Sequence, residues 1–96
     1  MWATRSVNKF TSRTYALSVT STTQQLCGAD KKRRQIMVFN LGSNTVYICS
    51  AQNMKHTDGY PVPASANPYK NKECTSALWI VAETGTNDVR VQVDSE

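Results

Sequence analysis

The sequence predicts an all-β fold, a small antiparallel β-sandwich or barrel, and three observations carry that prediction. The chain has 96 residues, enough for one small domain and too few for a two-lobed enzyme. Val, Ile and Thr number nine, three and eleven, against only four Leu. β-Branched side chains suit a pleated surface and lose freedom in a helix, so this ratio favours strands. Apolar residues recur with a period of two in several short runs, separated by Gly, Asn, Asp and Pro. Ser, Thr, Asn and Gln make up 32 residues, and no run of eighteen apolar residues occurs, so no membrane-spanning helix is expected.

Residues 1–13 have no steady period and strand Trp2, Val7 and Phe10 among polar and basic neighbours such as Arg5. They read as an extended N-terminal arm, and residues 14–96 as a single β domain. Tyr15, Leu17 and Val19 alternate with Ala16, Ser18 and Thr20, as in a half-buried strand, and Gln24–Leu26 continues it after a break. Cys27–Arg34 is a turn that ends in the basic run Lys31-Lys32-Arg33-Arg34. Gln35–Leu41 is the strongest core strand. Its unbroken Ile36-Met37-Val38-Phe39 predicts cover on both faces, from an opposing sheet or a neighbouring copy.

Gly42-Ser43-Asn44 is a short turn, after which Thr45–Cys49 is expected to return as the second strand of a hairpin. Ser50–Asn71 is rich in loops. Pro61, Pro63 and Pro68 lack the N–H that a central strand needs, so this stretch is edge or connection. Ala77–Ala82 is an apolar strand with Leu78 and Ile80 on one face and Trp79 and Val81 on the other. Phe39 and Trp79 are expected in the core. Asp88–Val93 closes the chain, with Val89, Val91 and Val93 facing inward. Six to eight short strands with regular turns make the domain jelly-roll-like.

The net charge of +4 is unevenly spread. Residues 1–48 carry seven bases against Asp30 alone, whereas residues 49–96 carry four bases against six acids. Such asymmetry suits an acidic partner or head-to-tail packing of copies. Cys27, Cys49 and Cys74 are an odd and widely spaced set, which reads as reduced thiols rather than a disulfide framework. With His56 they offer four zinc ligands, but no pair has the local spacing of a structural zinc site, and no cofactor is expected. The acid-free start, rich in Ser and Thr, has the composition of a transit peptide, but a docking arm fits better because a strand begins by Tyr15. No apolar secretory core is present, so export by that route is not expected.

No catalytic constellation stands out. His56, the only imidazole, lies in a polar loop without an evident thiol or carboxylate partner. The acids Asp58 and Asp88 sit where aspartate stabilises turns. The candidate binding residues are therefore contact residues. Arg33 and Arg34 stand directly before the central strand, where they can meet carboxylates of a partner. Tyr60 and Tyr69 flank the proline-rich loop and suit a protein or sugar surface. Trp2, Arg5, Val7 and Phe10 suit docking of the arm on a neighbour, since a tryptophan left in solvent forgoes burial of about 200 Å². Nucleic acid is not expected, because the basic run lacks interleaved aromatics for stacking.

One pattern resembles a known group. It runs Arg34-Gln35-Ile36-Met37-Val38-Phe39-Asn40-Leu41-Gly42-Ser43-Asn44-Thr45-Val46-Tyr47-Ile48, continues through Asp58-Gly59-Tyr60-Pro61-Val62, and ends with residues 77–91 around Trp79 and Val89-Arg90-Val91. This is similar to small virion proteins of tailed bacteriophages, of the capsid decoration or cement type. The resemblance implies a non-enzymatic β-module that covers seams between capsid subunits. The short chain, the apolar Ile36–Phe39 run and the uneven charge predict a homo-oligomer. The resemblance favours a trimer, bound to the major capsid protein or other virion subunits and assembled in the host cytoplasm. Two other roles on the virion stay open: a head-completion or tail component, and a carbohydrate- or receptor-binding module.

Overall fold

A computed structural model describes residues 11–65, 67–72 and 75–96. Among these residues run eight strands: β1 (Thr11–Val19), β2 (Gln24–Cys27), β3 (Arg33–Asn40), β4 (Val46–Cys49), β5 (Tyr60–Val62), β6 (Tyr69–Lys72), β7 (Leu78–Ala82) and β8 (Asn87–Ser95). They form two four-stranded antiparallel sheets, ordered β1-β8-β3-β6 and β2-β7-β4-β5. The pairs β1·β8, β2·β7, β3·β6 and β4·β5 nest one inside the next, which is the topology of an eight-stranded jelly roll. The all-β sandwich expected from the sequence is thus the observed fold.

The core lies between the sheets, and the period of two puts it there. In β8, Val89, Val91 and Val93 are buried, while Asp88 is exposed and Arg90 and Gln92 are half-exposed. In β3, Ile36 and Val38 face inward and are fully buried. They meet Val46, Ile48 and Ile80 from the second sheet in one apolar cluster. In β1, Val19 is buried, and Tyr15 and Leu17 pack against the same cluster.

Three sequence expectations need correction. First, β3 is not covered equally on both faces. Met37 and Phe39 are only half-buried, on the outside of their sheet. The register sets Met37 beside Gln92 and Lys70, and Phe39 beside Arg90. Long polar side chains can cover apolar neighbours with their stems, so a continuous apolar run did not require a second sheet. Trp79 is likewise half-buried on the outer face of β7, not in the core.

Second, Gln35–Leu41 and Thr45–Cys49 do not form a hairpin, because β3 and β4 belong to different sheets. The intervening Gly42-Ser43-Asn44 is a corner held by two asparagines. Asn40, buried, donates through Nδ2 to the carbonyls of Asn44 and Val62 at 2.8 Å each and accepts the Gly42 N–H at 2.9 Å. Asn87, fully buried, accepts the Asn44 N–H at 3.0 Å. A Cβ on Gly42 would lie 2.5 Å from Asn87 Oδ1, so only glycine lets the corner close this tightly.

Third, β1 begins at Thr11, and Thr11, Ser12 and Arg13 pair with Ser95, Asp94 and Val93 of β8. These three positions, read from the sequence as arm, are strand. Trp2, Arg5, Val7 and Phe10 lie outside the described residues.

Candidate functional site: two seams and a split basic run

Among the described residues the sheet order leaves two open sides, where the edge strands of the two sheets face each other. On one side stand β5 and β6, on the other β1 and β2.

The β5/β6 side brings Tyr60 and Tyr69 together. Tyr60 belongs to the second sheet and Tyr69 to the first, and their ring centroids are 5.3 Å apart at an interplanar angle of 58°. That tilted approach is a favourable aromatic geometry. The Tyr69 hydroxyl accepts a hydrogen bond from Asn71 Nδ2 at 2.8 Å. Tyr60 is 62% exposed, an unusual degree for a large apolar ring. With Pro61, Pro63, Asn67 and Pro68 the two rings wall a shallow groove of about 290 Å³. Each proline fixes its own backbone φ, and Pro61 leaves β5 one backbone donor short.

The basic run splits in two. Lys31 and Lys32 are exposed in a turn that Asp30 organises by accepting the Lys32 N–H at 2.9 Å. Arg33, expected to reach outward to a partner, is instead 2% exposed. Its Nη1 donates to the Gly28 carbonyl at 2.8 Å and its Nη2 to the Ser76 carbonyl at 2.5 Å. The guanidinium therefore ties the β2–β3 loop to the segment entering β7. A β-bulge explains the turn inward. The β3·β8 register shifts between Arg33 and Gln35, so one extra residue resets the alternation. Arg34 then points outward, where it pairs with Glu96; both side chains are about half exposed.

The β1/β2 side holds a cleft of about 350 Å³, whose lining includes Arg13, Tyr15, Gln25, Cys27, Asp30 and Arg33. The Arg13 guanidinium lies 5.9 Å from the Tyr15 ring centre, within cation–π range. The Tyr15 hydroxyl donates to the Leu26 carbonyl at 2.6 Å, which bridges the two sheets. Burial and then the nearby Cys27 push the Tyr15 phenol pKa up, while Arg13 and Arg33 partly offset them. Sequence reasoning did not single out Arg13 or Tyr15 as a pair. Their i, i+2 spacing on one strand, which sets both on the same face, is the signal that could have found them.

Cys49 is buried on the outer face of β4, beneath the turn at His56–Asp58. Gly59 permits that turn to settle, because a Cβ there would sit 2.9 Å from Cys49 Sγ. Burial, and then Asp58, raise the thiol pKa, so Cys49 stays protonated and is a poor nucleophile. The His56 ring leans on Tyr47 at 5.4 Å. Among the described residues no group of three or more His, Cys, Asp or Glu gathers as metal ligands do.

No protein-family model and no curated protein matches this sequence. A solved structure does match the fold. It comes from a study entitled "Bacillus endospore appendages form a novel family of disulfide-linked pili". The likeness covers 90% of this chain and 85% of that one, with a TM-score of 0.52 and 10% sequence identity. At that identity the likeness is one of fold.

Proposed function

We propose that this chain is a non-enzymatic structural subunit of an assembled particle, and specifically a decoration or cement protein of a tailed-phage capsid. One observation carries the reading. The described residues form a single jelly roll with open edges, and a protein from a study of pilus-forming appendages shares that fold over 90% of this chain and 85% of its own. The specific form rests on the resemblance of the strand and turn sequence to phage virion proteins. In this reading the partner is the major capsid protein or another virion subunit. Trp2, Arg5, Val7 and Phe10 supply a docking segment ahead of β1, and Arg34 supplies a rim charge. Arg33 drops out of the contact set, because its guanidinium is spent on Gly28 and Ser76.

A second reading is favoured by the paired tyrosines. A groove with two adjoining rings and a proline wall suits the apolar face of a sugar or a short receptor segment.

One experiment addresses both. Capsids lacking the protein are mixed with purified wild type, with a chain lacking residues 2–10, and with Tyr60→Ala. The deletion stops at residue 10 because Thr11 already pairs with β8. Wild type is expected to co-sediment to saturation, the deletion to bind at least about tenfold more weakly, and Tyr60→Ala to bind as wild type. No binding of wild type to any capsid would sink the cement reading. Retention on a glycan array that Tyr60→Ala abolishes would move the function to the groove.

A further inference from the structure

We propose that β1 is a self-association strand, pairing antiparallel with β1 of a second copy about a two-fold axis through Thr14. β1 turns one set of its backbone groups away from β8. The Leu41 N–H donates to the Asp88 carbonyl at 2.9 Å, continuing the β3·β8 ladder by one residue. In an antiparallel ladder each residue turns its N–H and C=O to the same side, and neighbours alternate. Asp88, Arg90 and Gln92 therefore bond toward β3, and Val89, Val91 and Val93 toward β1. Arg13, Tyr15 and Leu17, which sit opposite those valines, bond inward to β8. Ser12, Thr14, Ala16 and Ser18 are left with backbone groups aimed away from the sheet. A second contact agrees: the Ser18 carbonyl is turned outward and accepts Gln24 Nε2 at 2.7 Å.

Among the described residues no strand pairs with this edge, and the other three edges are poor templates. The β5 strand has three residues with Pro61 in the middle. The β2 strand has four residues and a register shift between Gln25 and Cys27. The β6 strand has four residues, two of them lysine. By contrast β1 has nine residues without proline. A long unprotected edge is a template for another strand.

The free groups also select the occupant and the register. The free set Ser12, Thr14 and Ala16 is symmetric about Thr14, so an antiparallel second copy satisfies it completely. Ser12 faces the partner's Ala16, and Thr14 faces the partner's Thr14, with about six inter-strand hydrogen bonds. Sliding by one pair toward Ser18 would compete with Gln24 for a carbonyl already taken. In the selected register Arg13 stands opposite the partner's Tyr15, on the face that lines the β1/β2 cleft. Each guanidinium, already 5.9 Å from its own Tyr15 ring, thereby meets a second ring rather than a second guanidinium. The two clefts join across the axis.

Sedimentation and native mass spectrometry at rising concentration test this on the full chain. Wild type is expected to show a monomer–dimer equilibrium. Ala16→Pro removes an outward N–H without touching the β8 ladder, and so deletes two of the six bonds at once. It is expected to weaken the dimer by at least about tenfold. Thr14→Lys sets two ammonium groups against each other on the axis and changes only an exposed side chain, with the same expected loss. If Ala16→Pro loses its β-type circular dichroism, Thr14→Lys carries the test alone. A wild type that stays monomeric at high concentration overturns the proposal. So does a dimer, or a three-fold ring, that withstands Thr14→Lys.

Discussion

Replacing Arg33 by alanine is expected to destabilise the domain by about 3–5 kcal/mol, while Arg34→Ala costs about 1 kcal/mol or less. The two residues are neighbours of identical chemistry, so the contrast isolates burial and hydrogen bonding. Arg33 is 2% exposed and donates to two carbonyls from separate loops. Truncation leaves those acceptors without their donors and opens a void beside the β1/β2 cleft. The Arg34–Glu96 pair is half exposed on both sides, where solvent screening leaves little net gain. A domain of this size is stable by about 5–14 kcal/mol, so Arg33→Ala takes a large share. Urea unfolding of both variants checks this. Equal shifts in midpoint would mean that the bulge does not turn Arg33 inward.

The corner between β3 and β4 is the second sensitive point. Asn87→Ala is expected to cost about 2–4 kcal/mol. Its Oδ1 satisfies the Asn44 N–H at 3.0 Å, and its Nδ2 reaches the Thr84 and Val19 carbonyls at 3.3 and 3.5 Å. The side chain is fully buried, so water cannot replace those bonds without a rearrangement. Alanine leaves three backbone groups to find new partners and lets the chain between the sheets slacken. Thermal unfolding of Asn87→Ala beside Asn67→Ala, a control on an exposed loop, reads the difference. A loss no larger than the control's would show that the corner is held by packing alone.

These two residues also mark where the sequence was hard to read. The period of two told correctly which side of β8 faces inward, because Val89, Val91 and Val93 alternate without interruption. It did the same for Tyr15, Leu17 and Val19 in β1. Proline told correctly that the stretch around Tyr60 and Tyr69 stays at an edge. Periodicity reports which side of a strand is wet, however, and not which sheet the strand joins. Gly42-Ser43-Asn44 has the composition of a hairpin turn, and its bonds to Asn40 and to the distant Asn87 make it a corner. Arg33 was misread because a bulge shifts the phase by one residue, and nothing local in Arg33-Arg34-Gln35 announces it. Phe39 and Trp79 lie in apolar runs that predict core on both faces, although each sits on the outer side of its strand.

The candidate site was legible in part for the same reason. Tyr60 and Tyr69 were singled out by their place around a proline-rich loop, and the fold sets their rings 5.3 Å apart. The β1 edge was not singled out, because an edge is a property of sheet order. Strand order became visible only with the pairing of β1 to β8 and of β8 to β3.

Amide hydrogen exchange along β1, followed by NMR at low and high protein concentration, reads the two sides of this strand separately. β8 bonds one side, and the proposed second copy takes the other. At low concentration the amides of Arg13, Tyr15 and Leu17 are expected to exchange slowly, and those of Ser12, Thr14 and Ala16 fast. At high concentration the second set is expected to become slow as well. Uniformly fast exchange would contradict the β1·β8 pairing, and alternation that concentration leaves unchanged would contradict the open edge as a contact.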